Sequence, residues 1–154
     1  MEPIKRRNAA QAVFDKYFNT PFELGTHDCV HLAAYDLVQL GHDDPLISIG
    51  PYETVRGARK ALKKAGWSSL EDYLDARGFQ RIPPAAALPG DIVGFKETRS
   101  VAGLALGVAL SGGKVMAYVN GGCCYGPPDD GMTAWRIPPA EAHPPVSPGS
   151  EGAA

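Results

Sequence analysis

The stretch ELGTHDCVHLAAYDLV, residues 23–38, decides the fold. Asp28 stands where a helix N-cap belongs, because a short carboxylate can accept from the free N–H groups of a first turn. Cys29 is then the first helical residue. At ~100° per residue, Val30, Ala33, Ala34, Leu37 and Leu40 share one broad apolar face, and His31, Tyr35 and Gln39 lie on the other. Cys29 falls at the edge of the apolar face, and Gly41 ends the helix. A thiol at a helix start meets the positive end of the helix dipole, which favours thiolate. Two readings follow: a catalytic nucleophile, or a thiol buried in a core helix.

Working outward, residues 8–18 (NAAQAVFDKYF) place Ala10, Val13, Phe14, Tyr17 and Phe18 at helical spacing, with Asn19 and Pro21 as stop signals. Residues 42–52 read as a loop. Residues 52–65 (YETVRGARKALKKA) predict a third helix with Val55, Ala58 and Leu62 inward and Arg56, Arg59, Lys60, Lys63 and Lys64 around the rest. Ser68 and Glu71 have capping-box spacing for a short helix that Gly78 closes. The pattern then changes. LPGDIVGF (88–95) reads as a turn into a strand, GLALGVAL (103–110) and KVMAYV (114–119) as a hairpin joined by SGG, and TAWRI (133–137) as a last short strand. Helices followed by an antiparallel sheet predict an α+β domain over residues 1–137. Residues 138–154 hold five prolines and little apolar bulk. They read as a flexible C-terminal tail, without regular structure of its own or laid along a partner.

Composition narrows the function classes. Hydrophobic content of 44% and charged content of 21% suit one globular domain of 154 residues. A formal net charge of −2 gives no overall attraction to nucleic acid or anionic membrane. No apolar run approaches the ~20 residues of a membrane span. The basic start lacks an apolar core and cleavage site, so no signal peptide is read. A route out of the cell would be inside an assembled particle.

The cysteines Cys29, Cys123 and Cys124 are odd in number and two are adjacent, which argues for reduced thiols rather than a disulfide framework. Cys123 and Cys124 lack zinc-knuckle spacing and read as a tight turn with one thiol inward. No metal or cofactor is expected. The cationic residues 56–64 read as a solvated face, or else as a surface for an anionic partner. Trp67 and Trp135 read as packing residues.

The order of motifs carries a resemblance. HDCVHLAAYDL, LPGDIVGF and LGVALSGGKVMAY follow one another as the corresponding motifs do in the NlpC-type superfamily of cell-wall peptidases, which share a compact papain-like fold. The chain more closely resembles a divergent branch found in tailed phages and prophages, through GTHDCVHLAAYDL, YETVRGARKALKKAG, GDIV, ALGVAL and TAWRI, over about residues 10–137. The resemblance implies a papain-like α+β fold, Cys29 as the nucleophile position, and a setting at the phage tail tip, baseplate or hub. Its partners would be other tail-tip proteins and, if active, peptidoglycan.

One departure stands out. Active members carry a histidine at the start of the first hairpin strand, and the alignment puts Ala105 there. No histidine lies between residues 43 and 142. His31 is placed ~200° around the helix from Cys29 and His42 ~20 Å down its axis. His27 is the remaining neighbour, and the alternative to catalysis there is a hydrogen bond near the helix cap. Two functions are expected from different classes. The first is a docking module of the tail tip that kept the fold and lost the base. The second is a cysteine peptidase or amidase that cuts peptidoglycan stem peptides, with Cys29 and His27.

Overall fold

A computed structural model describes residues 2–96, 104–119 and 122–140 of the chain. Five α-helices precede the sheet: α1 (Glu2–Tyr17), α2 (Cys29–Gln39), α3 (Leu46–Ile49), α4 (Val55–Lys64) and α5 (Leu70–Ala76). The strands are β1 (Gln80–Ile82), β2 (Ile92–Lys96), β3 (Leu104–Leu110), β4 (Lys114–Val119), β5 (Gly122–Gly126) and β6 (Thr133–Arg136). They form one antiparallel sheet in the order β1-β6-β2-β3-β4-β5. The protein is therefore α+β, with N-terminal helices packed on an antiparallel sheet, as the order of patterns predicts.

Helix α2 is the central packing element. Its face buries Val30, Ala33 and Leu37 against Leu106 of β3, Ile92 of β2 and Trp135 of β6. Leu32, on another side of α2, meets Val13 and Tyr17 of α1 together with Val108, Met116 and Tyr118 of the sheet. The opposite sheet face buries Val93, Ala109, Val115 and Ala134 in a smaller cluster. Strand residues of one parity thus face the helices and those of the other face outward.

Several boundaries differ from the sequence reading, each for a nameable reason. Helix α1 begins at Glu2 rather than near residue 8. Its early part has no apolar period, but Arg6 is buried and its guanidinium donates to Asp91 Oδ1 at 2.9 Å and to the Pro89 carbonyl at 3.2 Å. Asp91 also accepts from Arg136, from Leu88 N–H and from Ile137 N–H. This buried carboxylate ties α1 to the turn before β2 and the end of β6. The segment read as a loop contains α3, a single turn. Helix α4 is capped by Thr54, whose hydroxyl accepts from Gly57 N–H, so Tyr52 lies outside the helix. Ser69 rather than Ser68 caps α5, by accepting from Asp72 N–H.

Strands β1 and β5 escaped the sequence reading because neither alternates in polarity. Cys123 and Cys124 lie within β5, paired with Tyr118 and Ala117 of β4, and not in a tight turn. Cys123 is half-buried among the aromatic residues behind α1, and Cys124 is exposed. Pro138 to Ala140, the start of the predicted tail, lie against the end of α2: Ala140 N–H donates to Leu40 O at 2.8 Å, and His42 Nε2 contacts Pro138 O at 2.6 Å. The rest of the tail, residues 141–154, lies outside the described residues.

Candidate functional site around Cys29

Asp28 builds the start of α2 as the sequence predicts. Its backbone is extended and Oδ1 accepts from His31 N–H at 2.9 Å. The other oxygen, Oδ2, accepts from Gly25 N–H at 2.8 Å and from the Tyr52 hydroxyl at 2.7 Å. Gly25 has φ +94°, and a Cβ there would lie 2.4 Å from the Tyr52 carbonyl oxygen. Only glycine lets the 23–27 loop close onto the segment before α4 in this way.

The His31 ring was expected on the solvent side of α2. Instead it turns back over the first helical turn, with Nδ1 2.8 Å from Asp28 Oδ1 and 3.3 Å from the Tyr52 hydroxyl. Asp28, His31 and Tyr52 thus form one polar unit at the N-terminus of α2. Burial raises the Asp28 carboxyl pKa, but hydrogen bonds from His31, Gly25 and Tyr52 outweigh it and hold the group below its ordinary value. Tyr52 is shifted upward, by burial first and then by the Asp28 charge. The sequence signal for this unit was the D-x-x-H spacing, which marks a cap and not a partnership with Tyr52.

Cys29 lies deeper than the helical wheel suggests. It is 7% exposed and joins the core cluster of α2, β2, β3 and β6. The expectation of a stabilised thiolate is reversed. Burial pushes the thiol up to about 11, and the neighbouring Asp28 charge adds to this, against the Leu106 N–H and first-turn N–H groups, which lower it. Desolvation removes more than the helix start supplies.

No described imidazole hydrogen-bonds the Cys29 sulfur. His27, the sequence candidate for the base, has Nδ1 3.1 Å from the Thr26 hydroxyl and 3.9 Å from Glu23 Oε1, with its ring in a T-shaped pair with Tyr17. His27 N–H donates to Glu23 O at 2.7 Å and closes the 23–27 turn that holds that ring in these contacts. His42 is engaged at the other end of α2.

The strand register shows which sheet face holds Ala105, the position that the resemblance aligns with the histidine of active peptidases. Ala105 pairs with Phe95, and Phe95 lines an outer groove with Val115, Ala117 and Met132. Ala105 therefore belongs to the outer face. Leu106 is the β3 residue that packs with Cys29. A one-residue difference in register sends a side chain to the opposite face of a sheet, so sequence alignment alone could not separate the two.

Asp36 is a buried acid that sequence reading passed over. It lies on α2 with both carboxyl oxygens unpartnered among the described residues. Burial raises its pKa well above the ordinary value, the Asp91 charge adds to this and Arg6 opposes it. Among the described residues, no group of three or more His, Cys, Asp or Glu side chains is placed to hold a metal ion. None of the described helices is long and apolar enough to cross a membrane.

No curated protein and no solved structure matches the chain. A family model described as a domain of unknown function (DUF6950) matches residues 4–137, which include the Asp28–Cys29 cap, the Asp91 turn and all six strands. The chain belongs to the DUF6950 family.

Proposed function

We propose that this protein is a docking module of a phage or prophage tail tip, built on a papain-like peptidase fold that no longer performs hydrolysis. The observation that supports loss of hydrolysis is the environment of Cys29: a buried sulfur of raised pKa, facing Leu106 where a base would be needed. A cysteine hydrolase needs a thiolate to attack and a proton donor for the leaving amine. The Cys29 site offers neither at neutral pH. The tail-tip setting rests on the order of sequence motifs, and the partners in this reading are hub or baseplate proteins.

The Asp28–His31–Tyr52 unit favours the second reading, a peptidoglycan endopeptidase or amidase. It places a carboxylate-supported imidazole two residues from the cysteine. In that reading His31 replaces His27 as the first suspect for the base.

Docking is tested in the producing cell. Particles purified from cells that carry the wild-type or the Cys29→Ala gene are compared by mass spectrometry of their tail fractions. The docking reading expects the protein in both fractions in equal amount, with equal infectivity. Its absence from particles, or particles that assemble with Cys29→Ala yet fail to infect, overturns the reading.

A further inference from the structure

We infer that the exposed side of α4 is a docking surface for an acidic protein segment, one that presents carboxylates along a helix-length stripe. Arg56, Arg59, Lys60, Lys63 and Lys64 are all exposed. Their spacing follows the helical repeat, so they form one continuous band about 12 Å long. Among the described residues, none of the five takes part in an ion pair.

Folding does not account for this band. Like charges three and four residues apart destabilise a helix. Lys63 and Lys64 suit the negative end of the helix dipole, but Arg56 sits in the first turn, at the positive end. The helix is held by two fully buried side chains, Ala58 and Leu62, the partly buried Ala61, and its Thr54 cap. Arg6, Arg81 and Arg136 are matched to carboxylates of the same chain. Lys5, Arg7, Lys16, Arg77 and Lys114 also lack an ion pair among the described residues but are spread over other elements; α4 is set apart by gathering five such cations on one arc. Five exposed cations on one helical arc, none in an ion pair among the described residues, are the pattern of a surface completed by another molecule.

The charge of the remainder selects the partner. The chain has a formal net charge of −2, and without these five cations it would be −7. A long polyanion such as a nucleic acid would extend past the short basic band and meet a chain whose other charges sum to −7. A finite acidic protein segment matches its length and avoids that repulsion. This surface names the partner chemistry for the docking reading and rests on it, but it does not depend on the state of Cys29.

The test uses the full-length protein and three fluorescent probes: a helical peptide with Glu at positions i, i+3, i+4, i+7 and i+8, the same peptide with Gln at those positions, and a DNA duplex of similar length. Fluorescence anisotropy is read at low and physiological salt. The expected result is binding of the Glu peptide at least about tenfold tighter than of the Gln peptide or the duplex, weakening with salt. Replacing all five cations with Gln removes the preference while the circular dichroism spectrum is retained. Equal binding of the Glu and Gln peptides, tighter binding of the duplex, or undiminished Glu-peptide binding by a folded five-Gln variant overturns the inference. The peptide comparison decides the matter even if that variant does not fold. Hydrolysis by Cys29 would end the docking reading and leave this peptide preference unchanged, so the two can fail separately.

Discussion

The state of Cys29 can be read from its alkylation rate as a function of pH. Iodoacetamide reacts with thiolate, so the rate follows the thiolate fraction and the access to sulfur. Burial raises the Cys29 pKa from 9.0 to about 11. At neutral pH that shift lowers the thiolate fraction by ~100-fold, since each pKa unit is tenfold. Cys124 is exposed and serves as the internal reference. Timed labelling, followed by peptide mass spectrometry, gives the rate at each residue separately. Cys29 is expected to lag Cys124 by ~100-fold or more at pH 7, with a rate that climbs about tenfold per pH unit beyond pH 9. The linked stability has a definite sign. The folded-state pKa is the higher one, so Cys29 adds no pH dependence below the unfolded value of 9.0. Between there and pH 11 folding loses ~1.4 kcal/mol per unit. Labelling of Cys29 as fast as Cys124 at pH 7, or a rate that plateaus below pH 8, would refute the buried-thiol account and indicate an activated nucleophile.

Two further substitutions test the surroundings. Asp36→Asn removes a buried carboxyl whose folded-state pKa is raised. Above pH ~4 the unfolded state of the wild type ionises first, which costs ~1.4 kcal/mol per pH unit until the folded state follows. Urea unfolding should therefore find the variant more stable at pH 7 and equal to wild type below pH ~4, and parallel pH profiles would contradict this. Leu106→His should bring an imidazole to the Cys29 side of β3 and speed Cys29 alkylation at pH 7, at a stability loss of ~2–4 kcal/mol from lost packing. Ala105→His, on the outer face, should leave the alkylation rate of Cys29 unchanged; the reverse pattern would sink the register argument.

What was legible in the sequence depended on range. The start of α2, its Asp28 cap and the β3–β4 hairpin follow from residues within a few positions of one another, and each was read correctly. The buried Asp91 gathers Arg6 and Arg136 from both ends of the domain, and no local pattern announces such a contact. Hence the first turns of α1 were missed. Strand β5, Gly-Cys-Cys-Tyr-Gly, has no alternation to read and forms because β4 offers it a paired edge. A helical wheel puts Cys29 at the edge of an apolar face because it shows direction and not depth. The sheet that covers the sulfur comes from residues more than sixty positions later. The same wheel points His31 to solvent, yet its ring folds back to a carboxylate on the preceding turn. The face occupied by Ala105 required the strand register, which differs by a single residue from the one that would have put it opposite Cys29.

The most direct measurement is hydrolysis itself. Purified full-length protein is incubated with peptidoglycan stem peptides and muropeptides near neutral pH, beside Cys29→Ala, and the products are followed by liquid chromatography and mass spectrometry. Cys29→Ala should fold, with a stability loss of ~1 kcal/mol from the packing removed. The account predicts no cleavage by either protein above the uncatalysed background. Robust cleavage by the wild type that disappears in Cys29→Ala would contradict it and direct attention to the Asp28–His31 pair as the source of the base.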